Sequence, residues 1–295
     1  MLSMRPAAAA FDAIAPVFDQ RFDAWLSVAA QRRAVRQALL QEFPKRGHIL
    51  ELGGGTGEDA AFLAGAGYEV FLTDPSPAMV AMAKAKLSPF GAPAEVATAE
   101  ELEDFAARHF STRGRLFDGA FSNFAPLNCV VDLAPVARGL AQLLKPGAPA
   151  MLVLFGTFCP GEMLTEVLHK RPGQALRRCK RGPIPARLAK RHFPIVYHRR
   201  AALMRAFAPW FVLEKRLGIG VTVPPSAAEP WISHQPRLLG AVQRVAPQPE
   251  ISRPLAVRAQ VLTNSVSNQR SLTFPTFARG QPEGRPPSQS RAKLC

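Results

Sequence analysis

The sequence predicts an α/β protein, a doubly wound, mostly parallel sheet of seven strands with helices on both faces. Three observations predict it. Residues 48–52 form a short apolar run broken only by Glu51, glycines follow at 53, 54, 55 and 57, and a helical stretch, 58–66, begins at once. Strand, glycine turn and helix open a nucleotide-binding βαβ unit, because backbone passing close to a ligand needs residues without a Cβ. A second strand, 68–73, ends in Asp74, which lies 17 residues beyond Gly57. An acid about 20 residues past such a turn is placed to accept hydrogen bonds from ribose hydroxyls, although the same acid can also cap the next helix. Further strand-like runs follow at 92–97, 116–123, 150–155, 195–199 and 210–223, separated by helix-like segments.

The glycine turn also argues for the kind of nucleotide. In the dinucleotide fingerprint, G-x-G-x-x-G, the pyrophosphate sits on the helix N-terminus. Counted from Gly53, the third glycine of that pattern falls on Glu58, whose carboxylate repels a pyrophosphate. The turn instead reads G-x-G-x-G, with Glu51 two residues ahead. An acid at the strand end suits a ligand that carries a cation.

This motif resembles the first motif of class I S-adenosylmethionine-dependent methyltransferases, of the small-molecule type. The resemblance spans about residues 10–240 and implies the Rossmann-like methyltransferase fold. It implies that Glu51 faces the methionine ammonium and that Gly53, Gly55 and Gly57 let S-adenosyl-L-methionine lie against the turn. It further implies that Asp74 holds the ribose, with Pro75 opening the next helix, and that Ala99 and Glu100 meet the adenine. The acids at 101–104 can equally be a solvated helix start, which the helix dipole favours.

Taken in order, residues 1–46 are expected to be N-terminal helices, at 11–22 and 24–43, closed by Pro44 and Gly47. The pattern F-D-x-x-A-x-x-F-D from Phe11 resembles the start of many small-molecule methyltransferases, where an aromatic residue covers the cofactor. Phe11 and Phe18 have no phenol, so a packing helix is the favoured reading. The loop beyond the fourth strand, F-A-P-L-N-C from Phe124, lies where open α/β sheets bind ligands. Asn123, Phe124, Leu127 and Asn128 are therefore expected to face the methyl group and the acceptor. Cys129 reads as a buried thiol. The helix at 133–144, the turn Lys145-Pro146-Gly147 and the fifth strand match the family's usual helix–turn–strand at this distance.

Residues 47–242 are expected to form the methyltransferase domain, with a helical lid inserted at about 156–194. His198 and His234 are the candidate general bases, since imidazole titrates near neutrality. Residues 243–295, rich in proline, serine, glutamine and arginine, read as a basic, disordered tail.

Charge is uneven. Residues 1–150 hold 14 Lys and Arg against 16 Asp and Glu, and residues 151–295 hold 23 against 6. A basic half hints at an anionic partner, whether nucleic acid, an acidic carrier protein or a membrane surface. A GC-rich genome gives a similar composition. The four cysteines are scattered with no C-x-x-C, so neither a metal site nor a disulfide framework is expected, as suits a cytoplasmic protein. No run of about 18 apolar residues occurs, so no membrane span is expected. The expected activity is methyl transfer to an oxygen, nitrogen or carbon of a small molecule, anionic or carrier-bound. An RNA methyltransferase and a non-catalytic S-adenosylmethionine-binding protein are the alternatives.

Overall fold

A computed structural model describes residues 5–22, 25–112, 114–218 and 258–263. Five parallel strands make its centre: β1 (His48–Leu52), β2 (Glu69–Asp74), β3 (Ala94–Val96), β4 (Gly119–Ser122) and β5 (Pro149–Leu154), side by side in the order β3-β2-β1-β4-β5. The order reverses at β1, so the crevice beyond the ends of β1 and β4 is the topological switch point where doubly wound sheets take ligands. Helices α1 (Pro6–Asp12), α2 (Ala15–Phe22) and α3 (Leu26–Glu42) precede β1. The crossovers carry α4 (Glu58–Gly65), α5 (Pro77–Leu87), α6 (Leu102–Thr112) and α7 (Ala134–Leu143). After β5 come α8 (Pro160–Leu168), α9 (Pro172–Ala175), a separate hairpin of β6 (Ile184–Leu188) and β7 (Arg191–Ile195), then α10 (Arg200–Phe207), β8 (Val212–Gly218) and β9 (Arg258–Thr263).

Strand alternation divides the core into two layers. Leu50, Leu52, Phe71, Ala120 and Leu152 pack on one face with Phe105, Val136 and Leu140 of α6 and α7. Ile49, Val70, Leu72, Phe121 and Met151 pack on the other with Leu39, Leu63 and Val80 of α3, α4 and α5. Both layers are apolar, which is why the central strands read as near-continuous hydrophobic runs.

Several elements differ from the expectation. The first expected helix breaks at Ala13–Ile14, because Pro16 has no N–H to donate to the carbonyl one turn back, and α1 and α2 result. Residues 196–199 are irregular. The strand expected at 195–199 is replaced by the β6–β7 hairpin, whose alternation reads as strand but whose partner is local. The neighbour of β5 in the sheet is β9, antiparallel to it, with β8 antiparallel to β9 in turn. Thus a segment read as tail supplies a strand. Its R-A-Q-V-L-T run, 258–263, is hidden in a proline-rich neighbourhood.

The β6–β7 turn places Ala189 and Lys190 in the left-handed region, at φ 48° and 62°. A two-residue hairpin turn with both residues at positive φ suits Asn-Gly, and a side chain there costs about 1 kcal/mol. Replacing Lys190→Gly is expected to raise stability by about 1 kcal/mol, read as a higher urea midpoint with an unchanged slope.

Candidate active site

The site is built around the end of β1. Glu51 is buried, and its Oε2 has no hydrogen-bond partner among the described residues. Its carboxyl sits well above the usual carboxylate range, first because burial penalises the charge and then because Asp59 and Asp74 add negative potential; Arg32 and Arg36 oppose this. Across the turn, Asp74 accepts the Ser76 N–H at 2.8 Å on Oδ1 and the Gly55 N–H at 2.9 Å on Oδ2. Burial nevertheless raises it to about 6. Each carboxylate oxygen keeps a second lone pair, so Asp74 can still take hydroxyl donors.

Glycine is required where the turn is tightest. Gly53 has φ +65°, and a Cβ there would stand 2.5 Å from Pro126 Cβ in the loop after β4. At Gly54 it would stand 2.5 Å from Leu72 and 2.8 Å from Glu51 Cδ. Gly55 has φ +56° and nothing within 4 Å of that position, so it presents bare backbone to open space. Gly57, also left-handed, starts α4 against Ala83.

Beside the turn lies a cleft of about 170 Å³. Of the residues expected to hold the cofactor, Gly53, Pro75, Ala99 and Glu100 line it. Its roof is α1, with Arg5 and Pro6 among the lining residues, and Pro194 of β7. Cys129 also lines it, and burial pushes this thiol up to about 11, so it stays protonated near neutral pH.

Asn123 is not free to meet a ligand with its side chain. Its Nδ2 donates to Asp59 Oδ2 at 2.7 Å, and its Oδ1 accepts the Phe124 N–H at 2.8 Å. It therefore sets the next two residues, Phe124 and Ala125, which both adopt left-handed backbone, at φ 57° and 63°. Asn128 is spent in the same way. Its Oδ1 accepts the Phe155 N–H at 2.9 Å, and its Nδ2 donates to the Val196 carbonyl at 2.6 Å. His198 donates from Nε2 to the Val130 carbonyl at 2.9 Å, with Leu127's at 3.3 Å, and burial lowers its pKa. It is a neutral ring that pins the 127–130 loop, and the nitrogen nearest that loop has no free lone pair. His234 lies outside the described residues.

Other residues of the site were not expected from the sequence. Asp12 accepts both the Ser76 hydroxyl, at 2.9 Å, and the Ala78 N–H, at 2.8 Å. Asp19 accepts from Thr56 Oγ1 at 2.5 Å and from Lys86 Nζ at 2.8 Å. Lys86 in turn pairs with Glu58. The two aspartates of F-D-x-x-A-x-x-F-D thus strap α1 and α2 across the turn and α5, and Arg5 closes the end on Glu100 at 2.9 Å. The seven-residue spacing of the aspartates, about two helical turns, was the available signal. Asp59 is held by Arg36 at 2.7 Å, and Arg32 lies 3.7 Å from it and 5.2 Å from the centre of the Phe124 ring.

Comparison with known proteins agrees with this fold. Residues 49–147 match the family model of a methyltransferase domain. No curated protein matches the chain. Among solved structures, the chain is similar to a methyltransferase in complex with the Haloferax volcanii Trm112 methyltransferase activator, with TM-score 0.54 and 15% identity over 91% of this chain and 100% of that one. It is also similar to S-adenosylmethionine-dependent methyltransferases from Clostridium acetobutylicum and Methanosarcina mazei. The first has TM-score 0.52 and 11% identity over 85% of this chain and 97% of that one. The second has TM-score 0.51 and 16% identity over 77% and 96%. Residues 49–147 thus carry a methyltransferase domain, and the chain has the fold of these solved structures.

The raised Glu51 gives a stability prediction. A carboxyl whose folded pKa lies above its unfolded value stabilises the fold while protonated, and that contribution is lost as pH rises through the folded pKa. Glu51→Gln removes the loss. The variant is expected to exceed the natural protein in urea midpoint at pH 8, with the difference shrinking towards pH 4.

Proposed function

We propose that this enzyme moves the methyl group of S-adenosylmethionine to a small-molecule acceptor. The observation that carries the cofactor half of this reading is the buried Oε2 of Glu51, without a hydrogen-bond partner among the described residues, beside a glycine turn. A buried carboxylate without a partner is costly, and an ammonium resolves it. In this reading Glu51 takes the methionine ammonium, and Arg32, whose field already acts on Glu51, takes the methionine carboxylate. Asp74 takes the ribose hydroxyls, and the backbone at Ala99 with the Glu100 side chain takes the adenine. The expected lid, 156–194, contributes Pro194 to the roof.

When bound, the sulfonium would supply an electrophilic methyl to an acceptor lone pair, the neutral thioether being the leaving group. The protein's own part is alignment and exclusion of water. Asn123 and Asp59 fix the Phe124 backbone at the carboxyl end of β4, and α1 with β7 closes the cleft above. His198 is occupied with main-chain carbonyls, so an acceptor that attacks in its neutral or already ionised form fits this site best. The narrow, roofed cleft supports a small acceptor over a polymer.

RNA is the second reading. No acidic residue occurs from 167 to 213 against 12 Lys and Arg, and one structural relative is a partner of the Trm112 activator. Methyl-labelled cofactor incubated with the small-molecule and RNA fractions of a cell extract separates the two. Label is expected in the former, and label in RNA alone would overturn the proposal.

Two further outcomes test the cofactor contacts by calorimetry with S-adenosylhomocysteine. Glu51→Gln is expected to weaken binding by about 30-fold or more, the cost of leaving one partner of a buried charge pair alone. Asp74, at about 6 in the free protein, has to ionise to serve the ribose. Affinity is therefore expected to be flat above pH 7 and to fall about tenfold per unit below 6.

A further inference from the structure

The segment after β5 carries a surface that the cofactor site does not use. From Val167 to Arg171 every residue is exposed, as are Leu176, Lys180 and Arg181. Val167, Leu168 and Leu176 are 53%, 72% and 55% exposed, three large aliphatic side chains on one short helical tip. Exposed aliphatic residues scattered singly need no explanation, but a cluster does.

The charges of this tip are sorted. Its two acids are turned inward or paired. Glu162 is buried and takes both Arg177, at 2.9 Å, and Arg178, and Glu166 faces Arg171 at 3.5 Å. Lys170, Lys180 and Arg181 have no ion-pair partner among the described residues. The outward surface of the tip is therefore aliphatic and cationic, with no unpaired acid of its own among the described residues. The tip is also tied to the site. Cys179 Sγ contacts the Thr157 carbonyl just past β5, and Arg199 donates to the Cys179 carbonyl, while the adjoining Val196 and His198 grip the loop after β4.

Candidate partners use these features differently. RNA is held by phosphate contacts and by stacking on aromatic faces, and it gains little from burying leucine and valine. A protein interface needs a packed apolar centre larger than three aliphatic side chains supply. An anionic bilayer uses both halves. The cations sit against headgroups, and the aliphatic side chains enter the headgroup–acyl boundary.

We infer that the Val167–Arg181 tip docks the enzyme on an anionic lipid surface. The inference rests on the small-molecule reading above and deepens it: the acceptor class is an apolar small molecule dissolved in that bilayer, and the tip is tied through Cys179 and Arg199 to the segment whose His198 holds the loop that lines the cleft.

The test is co-sedimentation of the full chain with phosphatidylcholine vesicles, with and without phosphatidylglycerol. Binding is expected only with phosphatidylglycerol, and it weakens as salt rises. Leu168→Asp with Leu176→Asp is expected to lower affinity at least about tenfold. Lys180→Ser with Arg181→Ser is expected to lower it about fivefold per cation. Both pairs are exposed and remote from the cofactor contacts, so the variants should keep the natural melting temperature and S-adenosylhomocysteine affinity. Absence of binding at low salt overturns the inference. So does an aspartate variant that binds vesicles as the natural protein does, or RNA that displaces the vesicles at equal phosphate concentration. None of these readouts involves turnover. A chain that binds S-adenosylhomocysteine but not vesicles loses only the docking surface, and one that binds vesicles but not the nucleoside loses the reading of the cleft.

Discussion

Three carboxylates packed around one glycine turn are the constraint on which the rest of the site depends. Glu51, Asp59 and Asp74 are all buried, and Asp59 and Asp74 both raise the cost of charging Glu51. Such a group is stable only if cations and N–H donors are arranged about it. The chain supplies these from three directions. Arg32 and Arg36 reach in from α3, main-chain N–H groups of Gly55 and Ser76 satisfy Asp74, and Asn123 donates to Asp59. Of the three, Glu51 alone keeps an oxygen with no hydrogen-bond partner among the described residues, so the arrangement is complete everywhere except at the end of β1.

The N-terminal helices belong to this balance. By packing alone they would be a cover of modest value, since few of their side chains are fully buried. Their aspartates make the difference. Asp12 caps α5 from outside the helix, adding to the Ser76 cap, and Asp19 bridges the glycine turn to Lys86. Capping contacts of this kind are worth about 1 kcal/mol each. Here they also bring α1 over the cleft, so the roof and the acid cluster are held by one set of hydrogen bonds.

How much of this was legible in the sequence depends on range. The β1–turn–α4 unit, Asp74 and the helix after it were readable because turn glycines, strand alternation and caps are local signals. Gly53, Pro75, Ala99 and Glu100, singled out by the family resemblance, line one cleft. Asn123 was placed correctly at the end of β4, but its hydrogen bonds to Asp59 and Phe124 N–H depend on a residue 64 positions away, and no local pattern announces that. His198 looked like a base because histidine chemistry is visible in sequence and its burial against Val130 is not. The strand pairing at the far edge failed for the same reason. Residues 191–195 and 258–263 have similar strand character, and only tertiary contacts decide which joins the sheet.

That far edge has a consequence for how the chain is made. β9 lies between β5 and β8, yet it follows β8 by about 40 residues. While the protein emerges from the ribosome, β5 has an open flank and β8 has no partner until residues 258–263 arrive. Bare strand edges invite pairing with other chains. The strand that seals the sheet is thus made well after both strands it joins, and a nascent chain halted before it would expose two unmatched edges at once.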